Sequence, residues 1–345
     1  MFYFRVPREN GECEAGSYFL ELLKKILRKL PRPIRLFLIS CRDWWRSFLV
    51  MAKRKRVRKR IDTKNYKKRA SIIVVTYGNE EFTIGCLDSL RRTIAKEDEV
   101  IWVDNNSSKA SKNKVLAWLK KHSFSQLQKK IFNDRNAGFI GGNRLGFQQA
   151  EGKYIVLLNN DTIVAPRWLD NMLSVFEKDP EVGIVGAVSS SPEQWQGVEN
   201  LRKSLPGFDK APPVEIGKPN FRSVAQYGRE LEELFHGQFR IMWGMITFFA
   251  AVISRDLINT IGFLDPENLY SEMGLCDDDD YSERTKEAGF KLALALDSFV
   301  YHYHRATFKI LDANYKKIQL ENTRRFNERW GHRRKIPLDK VADNP

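Results

Sequence analysis

Three short polar clusters in the sequence have residue types and spacing suited to chemistry. Asn159-Asn160-Asp161 closes an apolar run, Asp277–Asp280 places four carboxylates in a row, and His302 and His304 lie two residues apart. Mg²⁺ and Mn²⁺ often take one or two protein carboxylates plus substrate phosphates, so Asp161 suits a divalent cation. Adjacent carboxylates resist ionising together, which raises the pKa of one of them toward the range of a general base.

Each cluster also has a purely structural interpretation. Asn and Asp are favoured in turns after strands, and carboxylates are stabilised at the start of a helix. His302 and His304 would share one face of a strand, where one could bind a metal and the other a phosphate or an acceptor. Both could equally be ordinary histidines, and the residues by themselves leave these interpretations open.

A glycine-rich turn, Asn136–Asn143 (NAGFIGGN), leads into a predicted helix. Backbone N–H groups at such a helix start can bind a diphosphate or a sugar. The segment does not match G-x-G-x-x-G, so by itself it gives only weak support to a phosphate site.

Alternating strands and helices must position these clusters. Buried strands are predicted at 71–78, 99–108, 153–162 and 246–253, and helices at 80–93, 109–121 and 279–288. This alternation indicates an α/β fold with a doubly wound, mostly parallel sheet. Such sheets bind ligands beyond the carboxyl ends of their strands, where Thr76-Tyr77, Asp104–Asn106 and Asn159–Asp161 fall. Residues 189–240 are predicted to form an insertion.

The charge of the chain is concentrated near its N-terminus. The 345 residues include 58 Lys+Arg and 43 Asp+Glu, and residues 1–70 hold 21 of the former and 6 of the latter. The rest of the chain is therefore neutral overall, which excludes a uniformly basic nucleic-acid-coating protein. The four cysteines form no C-x-x-C pair, which argues against a zinc site or disulfide framework and favours a reducing compartment.

The basic N-terminal segment has an amphipathic pattern. Apolar residues over 19–30 recur at i, i+3 and i+4, and Lys53–Arg60 has seven basic residues in eight. With a second helix predicted after Pro33, the pattern predicts a pair of interfacial helices on an anionic membrane surface. A helix packed on the protein or a nucleic-acid patch are the alternatives. No spanning helix is expected, because the most apolar stretch, 34–51, contains three arginines and an aspartate. We therefore expect a cytoplasmic protein at the inner face of a membrane.

Taken together and in order, these motifs resemble glycosyltransferase family 2, the inverting GT-A enzymes, and within it the rhamnosyltransferase-like branch. The resemblance rests on SIIVVTYGNEE, VIWVDNNSS, NAGFIGGNRLGFQQAEGKYIVLLNNDTIVAPRWL, VISRDLINTIGFLDP and GLCDDDDYSERTKEAGFKLALALDSFVYHYHRATF. It covers residues 70–308, with a gap over 189–240.

The resemblance implies a GT-A fold, a UDP-, dTDP- or GDP-sugar donor, Mn²⁺ or Mg²⁺, and displacement with inversion at the anomeric carbon. The acceptor would be a hydroxyl of a glycan or a lipid-linked molecule, as in the synthesis of cell-envelope polysaccharides. The expected organisation is a membrane-anchoring extension at 1–69, a catalytic domain at 70–308 with an acceptor-side insertion at 189–240, and a helical tail at 309–345. No nucleic-acid partner is expected.

The resemblance also implies which residues form a metal site. Asp161 matches the last position of the family's DxD motif and would hold the metal and the diphosphate, with Asn159 as a further candidate ligand. His302 matches the histidine that closes the family's late strand and would complete the site, and His304 is a second candidate there.

A general base and a nucleotide site follow from the same resemblance. Asp278 would deprotonate the acceptor hydroxyl, and Asp277 or Asp280 would orient the base or the acceptor. The implied nucleotide-binding residues are Thr76, Tyr77, Glu80, Asp104, Asn106, Asn136, Gly138, Asn143 and Asn160.

Three positions depart from the family pattern. Asn159 stands at the first DxD position, which removes one carboxylate and predicts weaker or more donor-dependent metal binding. Asp277, preceded by Cys276, stands where the family usually has a glutamate. Thr247-Phe248-Phe249 stands where relatives often have the small residues Ser-Gly-Ala. The acceptor used by relatives therefore cannot be assumed for this chain.

Two other functions compete with this interpretation. A sugar nucleotidyltransferase would need a glycine-rich, basic phosphate loop directly after the first strand, and Thr76–Glu80 lacks one. A nucleic-acid-binding protein with a basic arm is disfavoured by the neutral body, although strongly salt-dependent DNA binding would support it.

Overall fold

The computed structural model of this chain describes residues 66–192, 194–271, 273–303 and 314–338. The predicted N-terminal helices and basic tract, the candidate metal residue His304, and the ends of the predicted tail lie outside these ranges. Within them, no helix is both long and apolar enough to cross a membrane.

The described residues form nine strands and nine helices, numbered here in chain order. The strands are β1 Lys68–Thr76, β2 Glu99–Asp104, β3 Leu127–Phe132, β4 Gly152–Asn159, β5 Thr162–Val164, β6 Val182–Ser189, β7 Phe239–Met242, β8 Ala250–Ser254 and β9 Lys291–His302. The helices are α1 Glu80–Thr93, α2 Lys109–Lys121, α3 Gly138–Gln149, α4 Trp168–Lys178, α5 Val198–Ser204, α6 Phe221–Phe235, α7 Arg255–Ile261, α8 Asp277–Glu287 and α9 Asn314–Trp330.

All nine strands belong to one sheet. Its order is β3-β2-β1-β4-β8-β6-β9-β5, and β7 pairs with β9 beside this path. Strands β1, β2, β3, β4, β6 and β9 run in one direction, whereas β5, β7 and β8 run antiparallel to their neighbours. The predicted α/β fold with a mostly parallel sheet is confirmed. The carboxyl ends of the six co-directional strands consequently meet along one edge.

Helices cover both faces of the sheet because the central strands are apolar on both sides. In β1, Ile72 and Val74 pack in a core with α1 and α4, whereas Ile73 packs in a second core with α3, α7, α8 and α9. Alternate residues of a strand face opposite sides, so these are the two faces of one sheet. A third core joins α5 and α6 to β9, and it holds much of the predicted 189–240 insertion.

Helices α1 and α2 have the predicted bounds, but the structure corrects two elements of the sequence analysis. The strand predicted at 246–253 is shorter, β8 Ala250–Ser254, and Phe248 and Phe249 are buried ahead of it. The helix predicted from Asp279 begins at Asp277, so the acidic run is its first turn. The strand was predicted too early because a continuous apolar run does not show which of its residues pair with a neighbouring strand and which are buried outside it.

The predicted C-terminal tail includes a helix that packs into the body. Phe326 and Trp330 of α9 are 0% and 3% exposed and belong to the second core. The segment after α9 is fastened back to it, because Asn327 exchanges two hydrogen bonds of 2.8 Å with the backbone of Ile336. The helix thus brings C-terminal residues to the edge of the sheet where the strands end.

Candidate active site

A cavity of about 470 Å³ opens at the carboxyl ends of β1, β2, β4 and β9. Its wall combines strand ends with the turn before α8, the start of α8, and α9. Two of the predicted chemical clusters, around Asp161 and around Asp277-Asp278, line this one cavity.

The first cluster pairs Asp161 with His302. Asp161 follows β4, His302 ends β9, and both are about 95% buried. Nε2 of His302 lies 3.2 Å from Oδ1 of Asp161 and 3.4 Å from Nδ2 of Asn159. The ring of Phe249 stacks on the imidazole with a centroid distance of 5.1 Å. Three of the four predicted metal residues, Asn159, Asp161 and His302, therefore converge at the cavity wall.

These side chains fit a divalent cation that shares its ligands with a substrate. Among the described residues, no group of three or more His, Cys, Asp or Glu side chains forms a complete metal cage. Asp161 and His302 would supply a carboxylate oxygen and an imidazole nitrogen, and Asn159 an amide group. Mg²⁺ characteristically takes one or two carboxylates and completes its shell with water and phosphate oxygens, so an incomplete protein site is compatible with it.

The second cluster stands on an unusual turn. Gly274, Leu275 and Cys276 have consecutive positive φ angles of 92°, 71° and 68° immediately before α8. Left-handed conformations are disfavoured for residues with a Cβ, so tertiary contacts must hold this turn. It places Asp277 and Asp278 in the cavity wall.

Helix α9 supplies those contacts. Asn322 is 1% exposed, and its Nδ2 donates to the carbonyl oxygens of Gly274 and Leu275 at 2.7 and 3.0 Å. Its Oδ1 accepts from the backbone N–H of Ser271 at 3.3 Å. Thr323 adds a contact of 3.6 Å to the sulfur of Cys276. A helix about fifty residues further along the chain therefore fixes the entry to α8.

The carboxyls of this cluster hold their protons unusually strongly. Burial raises the pKa of Asp277 to about 7, against the effect of nearby backbone N–H groups. Burial, followed by the charges of Asp279 and Asp277, raises the pKa of Asp278 well above its ordinary value. Burial also raises the pKa of Asp279, and Arg334 opposes the shift through an ion pair with it. Carboxyls with raised pKa values suit proton transfer near neutral pH.

Asp280, predicted to orient the base or the acceptor, does not line the cavity. Its carboxylate accepts hydrogen bonds from Trp330 Nε1 at 2.8 Å, Arg284 Nε at 2.7 Å and the Tyr270 hydroxyl at 3.3 Å. It is 2% exposed and ties α8 to α9. The structure therefore places Asp280 behind the site, in the packing that supports the first turn of α8.

Five of the nine predicted nucleotide-binding residues line the cavity. They are Thr76, Tyr77, Asn136, Gly138 and Asn160. The Thr76 hydroxyl accepts from Trp102 Nε1 at 2.9 Å, and Asn160 donates to Thr83 at 3.1 Å. These polar side chains are held from behind by the body of the protein.

The other four predicted residues lie outside the cavity lining. Glu80 pairs with Lys114 at 2.5 Å, which lowers the pKa of Glu80 to about 2. Asp104 is buried, accepts from the backbone N–H of Ser107 at 3.0 Å, and has the Lys112 ammonium at 3.9 Å.

Asn106 and Asn143 complete this group. Asn106 is an exposed turn residue with a φ of 69°. Asn143 is buried in α3, where its Nδ2 donates to the carbonyl oxygen of Phe139 at 2.9 Å.

Sequence reasoning missed several residues of the wall. They are Asn105 after β2, Gln194 and Trp195 of the 189–240 region, Thr247, Phe248 and Phe249 before β8, and Gln319, Thr323 and Ile336 at the C-terminus. Asn105 is buried and donates to Asn136 at 3.1 Å and to the carbonyl oxygen of Gly138 at 2.8 Å, which fixes the glycine-rich turn. Its position directly after a strand was a usable signal. The family resemblance also drew attention to Thr247–Phe249 and to the 189–240 region, whereas the C-terminal residues carried no signal.

Comparisons with known proteins identify the family of this chain. The family model described as Glycosyl transferase family 2 matches residues 71–243. The O-antigen biosynthesis protein RfbC of Myxococcus xanthus is 27% identical over 199 residues, which are 57% of this chain and 14% of that protein. The putative glycosyltransferase EpsH of Bacillus subtilis is 26% identical over 103 residues, 30% of this chain and 29% of the relative. The chain thus spans well under half of these relatives.

A solved structure has a similar fold. The mannosyltransferase PcManGT from Pyrobaculum calidifontis, in complex with GDP-Man and Mn²⁺, superposes with a TM-score of 0.52 and 16% identity. The match covers 88% of this chain and 77% of that one. At this identity the likeness establishes the shared fold.

Proposed function

Because this chain belongs to glycosyl transferase family 2, we propose that it is a glycosyltransferase that performs metal-dependent, inverting transfer of a sugar from a nucleoside-diphosphate sugar to an acceptor hydroxyl. One observation carries the proposal. The Asp161–His302 pair and the Asp277-Asp278 carboxyls line the same cavity, at the edge where the strands end. The Mn²⁺ and GDP-Man bound by PcManGT support it.

The chain's residues would divide the reaction between them. Asp161 and His302 would bind the cation and, through it, the diphosphate of the donor, beside the strand ends that hold the nucleoside. A bound Mg²⁺ or Mn²⁺ would offset the charge that develops on the leaving diphosphate. This assigns the leaving-group end of the cavity to the Asp161 side.

The opposite end would activate the acceptor. Asp278, once ionised, takes the proton from the acceptor hydroxyl as its oxygen attacks the anomeric carbon and the bond to the diphosphate breaks. The transition state resembles an oxocarbenium ion, as in other glycosyl chemistry. Attack from the side opposite the leaving group inverts the anomeric configuration.

The wall beside these groups is partly aromatic. Trp195, Phe248 and Phe249 line the cavity, and the last two are about 4% exposed. Apolar side chains at this place exclude water from the reacting carbon and so favour transfer over hydrolysis. They also suit the apolar face of a sugar or a lipid-linked acceptor, as proposed from the sequence.

A donor screen tests the proposal. The purified protein is incubated with UDP-, dTDP- and GDP-sugars, with Mn²⁺, Mg²⁺ or EDTA, and thermal stability and nucleotide release are measured. We expect at least one donor to stabilise the protein only when a divalent cation is present, and Asp161→Asn to abolish that stabilisation. Stabilisation by a donor that is equal in EDTA and in Asp161→Asn would contradict the metal role.

We further propose that residues 1–69 hold the enzyme at an anionic membrane surface, which suits a lipid-linked or surface-glycan acceptor. The support is the charge excess of residues 1–70 and their amphipathic pattern. Vesicles with and without anionic lipid test it. The full chain should sediment with the anionic vesicles, and a chain lacking residues 1–65, which leaves β1 intact, should remain in the supernatant while still binding donor. A truncated chain that still sediments refutes the anchor.

A further inference from the structure

The loop between β6 and α5 is folded tightly against the end of β9. The backbone N–H of Ser189 donates to the carbonyl oxygen of Gln196 at 2.9 Å, and that of Gly197 to Gln194 at 2.8 Å. A Cβ at Gly197 would clash with the carbonyl oxygen of Ser191. The chain reversal between Gln194 and Gly197 leaves the Gln194 side chain within reach of the imidazole of His302.

Gln194 contacts the nitrogen of His302 that faces away from Asp161. Its Oε1 lies 3.3 Å from Nδ1 of His302 and accepts a hydrogen bond of 2.7 Å from the hydroxyl of Ser189. Ser189 is fully buried, so the Gln194 amide is itself held in place. A carbonyl oxygen can only accept, so a hydrogen bond between these atoms requires the proton to be on Nδ1.

The other surroundings of His302 leave the ring little freedom. Its backbone N–H donates to the Ser190 hydroxyl at 2.9 Å, and Phe249 covers one face of the ring. Nδ2 of Asn159, a donor, stands 3.4 Å from Nε2. An acceptor at Nδ1 and an amide donor at Nε2 both favour the tautomer with its proton on Nδ1. Oδ1 of Asp161, 3.2 Å from Nε2, is an acceptor that opposes this tautomer unless a cation lies between the two atoms.

We propose that Gln194 is a positioning residue, whose side-chain oxygen accepts the Nδ1 proton of His302 and so presents Nε2 to a divalent cation shared with Asp161. The inference rests on the metal-dependent function proposed above. Metal-binding histidines generally donate their second ring N–H to an acceptor, and loss of that acceptor typically weakens metal binding 10–100-fold.

Mn²⁺ binding in the presence of UDP or GDP, followed by the loss of the free Mn²⁺ EPR signal, tests the proposal. We expect Gln194→Leu, which keeps the side-chain size but removes the acceptor, to weaken Mn²⁺ binding about 10–100-fold. Gln194→Glu keeps an accepting oxygen and should remain within a few-fold of the wild type. Gln226→Leu is the matched control, since Gln226 is exposed on α6 and should have no effect. Unchanged Mn²⁺ binding in Gln194→Leu, or equal loss in Gln194→Glu, overturns the proposal.

A spectroscopic measurement reports the tautomer directly. The chain has five histidines, so ¹⁵N-histidine spectra of the full protein with Mg²⁺ and the same nucleotide can be assigned for His302 by its loss in His302→Gln. We expect the proton of His302 on Nδ1 in the wild type, and loss of that pattern in Gln194→Leu. A proton on Nε2 in the wild type overturns the proposal.

The Asp161→Asn variant distinguishes failure of the proposed metal site from failure of the proposed role of Gln194. If it abolishes Mn²⁺ binding while Gln194→Leu binds normally, the role of Gln194 is wrong and the metal site stands. If Asp161→Asn binds Mn²⁺ like the wild type, the proposed metal site fails and the role of Gln194 fails with it.

Discussion

The two sides of the cavity are built in different ways. The strand-end side, which includes Thr76, Asn160 and Asp161, follows directly from strands whose apolar runs are buried in the sheet. The helix-end side, Asp277 and Asp278, stands on three left-handed residues that α9 holds from outside. One side is therefore positioned by local sequence, and the other by a contact between distant segments.

The charged groups on the two sides of the cavity also differ. Asp161 lies beside the imidazole of His302, a group that can share a cation with it. Asp277–Asp279 share the first turn of α8, and burial raises the pKa of each. The first arrangement suits binding of an anion through a cation, and the second suits the uptake of a proton.

Among substitutions of residues that support the cavity from behind, we expect Asn322→Leu to have the largest effect on stability and turnover. Asn322→Leu leaves three backbone groups of the turn without their partner, which should reduce the free energy of unfolding by about 1–3 kcal/mol. Displacement of Asp278 should lower turnover roughly 10²-fold, while Mn²⁺ binding on the other side is retained. Urea denaturation, nucleotide release and Mn²⁺ EPR measure the three quantities. Asn113→Leu, on the exposed face of α2, is the matched control.

This outcome would separate the two sides experimentally. Loss of Mn²⁺ binding in folded Asn322→Leu protein, in parallel with loss of turnover, would show that the sides are not independent.

The ionisation of the helix-end side should be visible in the pH dependence of turnover. Since Asp277 has a pKa of about 7 and burial raises the pKa of Asp278 well above its ordinary value, turnover should rise with pH through neutrality. Arg334 lowers the pKa of Asp279 and Asp278, so Arg334→Gln should move the rising limb to higher pH. Nucleotide release measured between pH 5.5 and 9.5 is the test, with Arg334→Lys expected to restore the wild-type limb.

The same shift fixes the sign of the effect on stability. A carboxyl whose folded-state pKa exceeds its unfolded-state pKa binds its proton in the native state at a higher pH than in the unfolded state. It therefore adds stability as pH falls from about 7 toward about 4.

If the rising limb of the pH–turnover profile does not move in Arg334→Gln, the electrostatic role of Arg334 is contradicted.

We expect the smallest effect from a substitution of Glu80, near the strand-end side. Glu80 was predicted from the family resemblance to contact the nucleotide, but it forms an exposed ion pair with Lys114 outside the cavity. Exposed ion pairs contribute little to stability. Glu80→Gln should therefore leave donor affinity unchanged and alter the melting temperature only slightly, in a salt-dependent way. Isothermal titration with the donor found in the screen is the measurement, and a large loss of affinity would place Glu80 in the nucleotide site.

Local patterns were sufficient to predict the strand-end side. The apolar runs of β1, β2 and β4 indicated the sheet, and the polar residues that follow them indicated the edge at which Asp161 lies. The exception is instructive. Asn105 lines the cavity, whereas its neighbour Asn106 is exposed with a φ of 69°, and the local sequence does not distinguish the two asparagines.

The helix-end side could not be predicted in the same way. The amphipathic pattern of α9 indicates that one face is buried, but it does not identify the turn that Asn322 binds. Likewise, four consecutive aspartates have equal local patterns, and only the fold distinguishes Asp278 in the cavity from Asp280 behind it. Tertiary contacts decide which carboxylate can act.

Asp278→Asn tests the division of labour between the two sides most directly. The amide cannot accept the acceptor's proton, so we predict that turnover falls about 10²–10⁴-fold, while metal-dependent donor affinity stays within a few-fold of the wild type. Both quantities are measured on the same preparation, by nucleotide release and by titration with the donor in Mn²⁺. Wild-type turnover in Asp278→Asn, or loss of donor affinity equal to that in Asp161→Asn, would contradict the assignment of the base to the helix-end side.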